Sequence, residues 1–299
     1  MRSTRAAIAA LSVASVASAV LGAGVVLRRQ AAQARRRIGK PLGETALDAD
    51  RVWRPRHEGP PVELLLLGDS IAAGLGAQRP KETLGARLAK GVGRNLHRPV
   101  RLRTAAIVGS ESSALAAQLD ALPDQYRADV AVIVVGGNDV THRVPVATSV
   151  GHLELAVRRL REHGTAVVVG TCPDLGALRP VPQPLRALGS RLSRQLAAAQ
   201  AQSAERAGAA VVSTARAVGP FFISQPDEMF SLDRFHPSAL GYRRTAEALL
   251  PAVLGALAPV GPATAGKPPH ASKRAPRTEP AAVPAATPGG SHEPRTIRG

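Results

Sequence analysis

The sequence predicts an α/β fold, a parallel sheet covered by helices on both faces, in one domain over residues 61–257. Three observations carry this. Five short apolar runs alternate with five stretches of helical spacing. The runs are predominantly apolar, the pattern of strands buried on both faces. Strands joined through helices form right-handed βαβ units, and such units build parallel sheets.

The first strand is Val62–Leu67, four leucines ending at Gly68-Asp69-Ser70, and a helix follows over about 80–95. Val100–Ala106 is the second strand, with helical spacing at 111–122. Val130–Val135 is the third and leads through "GGND" to a helix at 146–163. Ala166–Gly170 and a helix at 184–207 come next, then Ala209–Ser213 and a last helix from Ser238 to Leu257. No internal repeat interrupts the series.

Hydrophobic residues make up 44% of the 299-residue chain and aromatics 2%, so the core is aliphatic. A formal charge of +17 would suit a nucleic-acid partner, but its distribution argues against one. Eight Lys/Arg and no acid lie in residues 1–40, and six basic against two acidic residues lie in 260–299. The stretch between them carries a small positive excess, an ordinary solvated surface, and seven aromatics give little material for stacking bases. No nucleic acid is expected. Cys172 is the only cysteine, which excludes an intrachain disulfide and a Cys-based zinc site. In "VVVGTCP" it reads as a small buried residue.

Both ends differ from the domain. Residues 1–40 read as an N-terminal membrane segment or signal sequence with a basic flank. The uncharged run from Ala6 to Leu27 is long enough to span a bilayer, though weakly hydrophobic. Ala17-Ser18-Ala19 fits a cleavage site, whereas positive-inside counting keeps the flank of Arg28, Arg29 and Arg35-Arg36-Arg37 cytoplasmic. Membrane anchoring or export to the cell envelope is expected, with the orientation open. Residues 260–299 are rich in Pro and Ala, and read as a disordered basic tail because they cannot bury enough apolar surface to offset ordering. Nothing in the pattern specifies an oligomeric state.

Ligands of open parallel sheets bind beyond the carboxyl ends of the strands. Ser70 follows the first strand, Gly109 the second and Asn138 the third; "DRFHP", Asp233 to Pro237, stands before the last helix. A hydroxyl is a weak nucleophile until a base takes its proton, and an imidazole serves best when a carboxylate fixes its tautomer. Ser70, His236 and Asp233 supply those three parts, with Asp233 and His236 three residues apart in a turn closed by Pro237. The tetrahedral intermediate also needs donors, and the N–H groups of Ser70 and Gly109 with the Asn138 amide can provide them. Each piece has a plainer reading: Asn138 can cap a helix, and a lone His is more often structural. Four features in order at the strand ends make coincidence the weaker account.

"GDSIAAG", Gly109, "GGND" and "DRFHP" together resemble the four sequence blocks of the SGNH hydrolases, the GDSL-type esterases and lipases. The resemblance covers about 61–257. It implies a three-layer α/β/α fold with a five-stranded parallel sheet, and metal-free, cofactor-free ester hydrolysis. Catalytic roles fall on Ser70, Asp233 and His236, and oxyanion roles on Ser70, Gly109 and Asn138. Ile71 stands where the family name has leucine, and Thr104 where the second block often has Asn. The expected substrate is a carboxylic ester, whether an acyl ester, a lysolipid or an O-acetylated sugar. The rival reading is a catalytically silent envelope protein that binds acylated glycans or lipids in the same crevice.

The other histidines show no metal-ligand spacing with carboxylates, although His142 follows "GGND" closely enough to border the site. "GPFFISQPDEMF", Gly219 to Phe230, reads as a long loop packed on the sheet, with an acyl-pocket wall as the alternative. "CPDLGALRPVPQP", Cys172 to Pro184, is either a rigid rim or a plain connector.

Overall fold

The computed structural model describes residues 22–258. Residues 1–21, which hold most of the uncharged run, and the tail from 259 lie outside the described residues, and the membrane-segment and disordered-tail expectations fall there. Among the described residues no helix is long and apolar enough to cross a membrane.

Helix α1 (22–38) leads to strand β1 (Val52–Trp53), β2 (Val62–Gly68), α2 (Ser70–Ala73), α3 (Leu84–Leu96), β3 (Val100–Thr104) and α4 (Leu115–Asp120). β4 (Val130–Val134) precedes α5 (Gly137–His142) and α6 (Val146–Glu162), and β5 (Ala166–Gly170) precedes α7 (Leu185–Arg206). After β6 (Ala210–Val212) come three short helices, α8 (Thr214–Ala217), α9 (Gly219–Ser224) and α10 (Pro226–Met229), and then α11 (Ala239–Leu257).

The sheet order is β1-β3-β2-β4-β5-β6, parallel from β3 to β6. Side chains alternate across it as the pleat requires. Leu64, Leu66, Val130, Val132, Val134 and Val168 pack beneath α3 and α11, with Leu88, Val92, Leu249 and Val253. Leu65, Leu67, Ala131, Ile133, Val167 and Val169 pack on the other face against Leu115 of α4, Leu153 and Val157 of α6 and Ala204 of α7. Three layers result, and each strand of the centre is apolar on both sides for that reason.

The five-stranded expectation needs one correction. A sixth strand, β1, pairs antiparallel with β3 at the sheet edge, Val52 opposite Arg101 and Trp53 opposite Val100. Two residues are too short for a periodic signal. The strand is held by its neighbours: Asp50 accepts the Thr104 N–H at 2.9 Å, and Arg51 and Lys90 lie over the Trp53 ring. The expected loop at 219–230 is likewise two short helices, started by Pro220 and Pro226, each within the first two positions of its helix.

Because β2 sits between β3 and β4, the chain reverses its direction of travel across the sheet at this strand. That is the switch point where loops diverge and leave a crevice. Ser70 stands there.

Candidate active site

The turn after β2 is held by backbone contacts that only a glycine permits. Gly68 has φ +127°, and a Cβ there would lie 1.9 Å from the Val134 carbonyl oxygen. The buried Gln118 of α4 reads both of its peptide groups, accepting the Gly68 N–H at 2.9 Å and donating to its carbonyl at 2.8 Å. Asp69 then caps α2 by accepting the Ile71 N–H at 2.9 Å. Ser70 is the first residue of that helix, so its N–H has no intrahelical acceptor.

Asp233 and His236 occupy one tight turn. Asp233 Oδ1 accepts the N–H groups of Phe235 (2.9 Å) and His236 (3.0 Å), and Oδ2 lies 2.5 Å from His236 Nδ1. An ionised carboxylate only accepts, so Nδ1 carries the proton and Nε2 of the neutral ring is the acceptor. Nε2 lies 2.9 Å from Ser70 Oγ. Burial alone would raise the Asp233 pKa; the imidazole and the two N–H donors outweigh it and hold the carboxyl below its ordinary range. The turn is tied to the Ser70 loop from two sides, by Ser231 Oγ donating to the Gly76 carbonyl (3.2 Å) and by the Tyr242 hydroxyl donating to that of Leu75 (2.6 Å).

Gly109 and Asn138 come from the loops after β3 and β4. Gly109 has φ +83° in a turn where the Ser110 N–H bonds back to the Ile107 carbonyl at 3.2 Å, and the Ile107 N–H reaches the Gly68 carbonyl at 3.1 Å. Asn138 Nδ2 donates to the Ser110 carbonyl at 2.9 Å, which spends one amide hydrogen and leaves the other. The same two loops are joined again by Asp139, buried, both oxygens of which accept the Ser112 N–H (3.2 and 3.1 Å), and by Glu111 and His142 at 2.7 Å. His142 therefore braces the loop that carries Gly109.

Ser70, Asn138 and His236 open on one apolar cleft of about 80 Å³. Phe222 and Phe230 form one wall and pack edge-to-face at 4.8 Å; Leu175, Ala177 and Leu178 form another. Both stretches left open by the sequence thus border the cleft, and Phe222 serves the core as well. Gly109 stands outside this lining. Among the described residues no cluster of His, Cys, Asp or Glu is arranged to hold a metal ion.

Residues 66–244 match the GDSL-like Lipase/Acylhydrolase family model. Over 268 residues the chain is 40% identical to the GDSL-like esterase Rv1075c of Mycobacterium tuberculosis (strain ATCC 25618 / H37Rv), covering 86% of this chain and 84% of that protein. The chain belongs to this family. It is a serine ester hydrolase of the GDSL type. Among solved structures it is similar to the acetylxylan esterase Axe2 of Geobacillus stearothermophilus, with a TM-score of 0.52 at 20% identity over 65% of this chain and 95% of that one. The lipase Lip_vut3 from a goat rumen metagenome gives 0.51 at 19% identity, over 64% and 97%. At such identities the likeness is one of fold.

Several residues that shape this GDSL-type site were not singled out from the sequence. Gln118 and, on α7, Gln200 are buried glutamines; Gln200 accepts the Cys172 N–H at 2.7 Å and donates to the Val135 carbonyl at 3.0 Å. Their signal was a polar residue on an otherwise apolar helix stripe, Leu115–Gln118–Leu119 and Leu196–Gln200–Ala204. Asp69 stands between Gly68 and Ser70, where the sequence pattern alone assigns it no role. Burial pushes its carboxyl up to about 6, and the nearby Asp139 charge adds to the effect against the Ile71 N–H and His236. With a folded pKa above the unfolded 3.8, the native state binds the extra proton, so this group makes the fold more stable as pH falls from about 6 toward 4. Asp69→Asn is expected to remove that slope, measured as the difference between urea midpoints at pH 4.5 and 7; an unchanged difference would mean the carboxyl is ionised throughout.

Proposed function

We propose that the cleft hydrolyses carboxylic esters of short acyl chains, with Ser70 as nucleophile, His236 as base and then acid, and Asp233 as the group that orients it. One observation carries the proposal: Ser70 Oγ at 2.9 Å from His236 Nε2, with Nδ1 of the same ring at 2.5 Å from Asp233. As Oγ attacks the ester carbonyl carbon, its proton passes to Nε2, and the imidazolium stays bound to the Asp233 carboxylate. Collapse of the tetrahedral intermediate breaks the bond to the alcohol oxygen, which leaves with the Nε2 proton. Water then repeats the sequence on the acyl-enzyme and releases the acid. The Ser70 N–H, the Gly109 N–H and the free Asn138 amide hydrogen are the donors proposed for the oxyanion.

Asn138→Ala is expected to lower kcat on the order of 10²–10³ with little change in KM, because the amide bonds to charge that develops only in the transition state. A larger change in KM than in kcat would move Asn138 to substrate binding.

The acyl preference follows from volume. A cleft of about 80 Å³ is roughly half of the ~150 Å³ cavity that admits benzene in a protein core. Acyl groups of two to four carbons are therefore expected to be preferred against the wall of Phe222 and Leu178. Turnover of p-nitrophenyl acetate, butyrate, octanoate and dodecanoate tests this. The expected kcat/KM is highest for acetate or butyrate, and a value that climbs through octanoate would overturn it. A fluorophosphonate probe, which labels only an activated serine, is expected to mark the wild type and not Ser70→Ala; absence of labelling would favour the silent binding protein.

The uncharged run Ala6–Leu27 adds membrane anchoring or export to the envelope to the same proposal, with its last residues, Gly24 to Leu27, belonging to α1 on the domain.

A further inference from the structure

A second cavity, sharing no lining residue with the cleft of Ser70, opens between α1, the α5–α6 connection and α7. Its volume is about 550 Å³, inside the roughly 300–1,000 Å³ of small-molecule sites. The walls are aliphatic: Leu27 of α1, Val140 and Val146 beside it, and Leu188, Leu192 and Leu196 of α7. Among the described residues two charged ones border it, Arg28 and Arg143, and no carboxylate does. Among the described residues neither guanidinium is ion-paired.

The wall from α1 is fixed in place. Gly24, Leu27, Ala31, Ala34 and Ile38 turn inward at three- and four-residue spacing, the stripe of a helix packed along one face. Gln30 clamps it to the start of α7, accepting the Leu185 N–H at 3.0 Å and donating to the Gln183 carbonyl at 2.5 Å. Arg37 donates to the Pro180 carbonyl at 3.3 Å.

We propose that this groove binds a fatty-acid carboxylate, with the alkyl chain on the leucine wall of α7 and the head group on Arg28 and Arg143. Each methylene taken from water onto the wall favours binding. A guanidinium meets a carboxylate through paired, charge-assisted hydrogen bonds. With two cations and no acid at the rim, a neutral or cationic amphiphile lacks that partner. The cleft of Ser70 is several times smaller, so the long chain has no equivalent place there.

The test is photo-crosslinking of the full-length protein in phosphatidylcholine nanodiscs with a diazirine-bearing palmitate, after Ser70 has been blocked by a fluorophosphonate. Labelling is expected to saturate, to be competed by palmitate and not by hexadecanol, and to map to peptides holding residues 24–28, 140–146 and 188–196. The Arg28→Gln/Arg143→Gln double variant is expected to lose about tenfold in labelling, the scale of lost charge-assisted hydrogen bonds, while still hydrolysing p-nitrophenyl acetate, which shows that it folds. Leu188→Asp, a half-exposed position, places a like charge against the head group and is expected to abolish labelling. Competition by hexadecanol, full labelling of the double variant, cross-links confined to the Ser70 cleft, or labelling that never saturates would each overturn the proposal.

Discussion

His236→Ala is expected to bring kcat on p-nitrophenyl acetate down to the floor left by Ser70→Ala, a loss on the order of 10⁶. The geometry explains why the two floors should coincide. Among the described residues the Ser70 hydroxyl has one base in hydrogen-bond reach, His236 Nε2 at 2.9 Å. The carboxylate nearest in sequence, Asp69, is already turned to the Ile71 N–H as the cap of α2. Without the imidazole the serine keeps its proton and the leaving alcohol receives none, so both halves of the reaction fail together. The double variant should therefore be no slower than either single one, since the two side chains act as a unit. Steady-state rates, with urea midpoints to verify that each variant is folded, decide the matter. A His236→Ala rate some hundredfold above that of Ser70→Ala would mean that another group accepts the proton.

What made this arrangement readable in the sequence was the sheet. β2, β4 and β5 are buried on both faces, so β4 and β5 are apolar without interruption, β2 is apolar after Glu63, and their ends are sharp. Placing Ser70, Gly109 and Asn138 after β2, β3 and β4 brings them to one edge once the strands are parallel. The turn at Asp233–His236 was legible for a different reason: three residues of separation and a following proline leave few ways to fold it.

The features that escaped have partners far away in the chain. Gln118 meets Gly68 across 50 residues and Gln200 meets Val135 across 65, and neither separation leaves a local trace. β1 is two residues long and owes its pairing to Asp50 and Trp53 rather than to periodicity. Cleft depth belongs to the same class. It is set by how closely α9, the loop after β5 and the turn at Phe230 approach one another, and the same phenylalanines would read alike in a deep pocket or a shallow one. The stripe on α1 is a middle case. Its spacing is written in the sequence, but a flank of arginines beside an uncharged run draws attention to the membrane instead.

Asp233→Asn is expected to cost on the order of 10⁴ in kcat/KM, and the hydrogen bonds of the turn say why an isosteric change should be so damaging. Oδ1 accepts two backbone N–H groups, from Phe235 and His236. An asparagine must place its oxygen there, because its NH₂ would face two donors. The amide nitrogen is then forced to the Oδ2 position, 2.5 Å from Nδ1 in the wild type, where it donates instead of accepting. The ring responds by carrying its proton on Nε2, which points a hydrogen at Ser70 Oγ and leaves no base. Raising the pH is not expected to rescue the variant, since the neutral ring itself is in the wrong tautomer. Stability should respond in the opposite sense to that of Asp69. The Asp233 pKa is held below its ordinary 3.8, so the stability it contributes is present above that value and is lost as pH falls through the lower, folded one. The wild type should accordingly outlast Asp233→Asn in urea at pH 7 and lose that advantage in strong acid. A kcat/KM within a factor of about three of the wild type, far from the loss of a triad member, would reduce Asp233 to a brace of its turn and the proposed chemistry to a Ser70–His236 dyad.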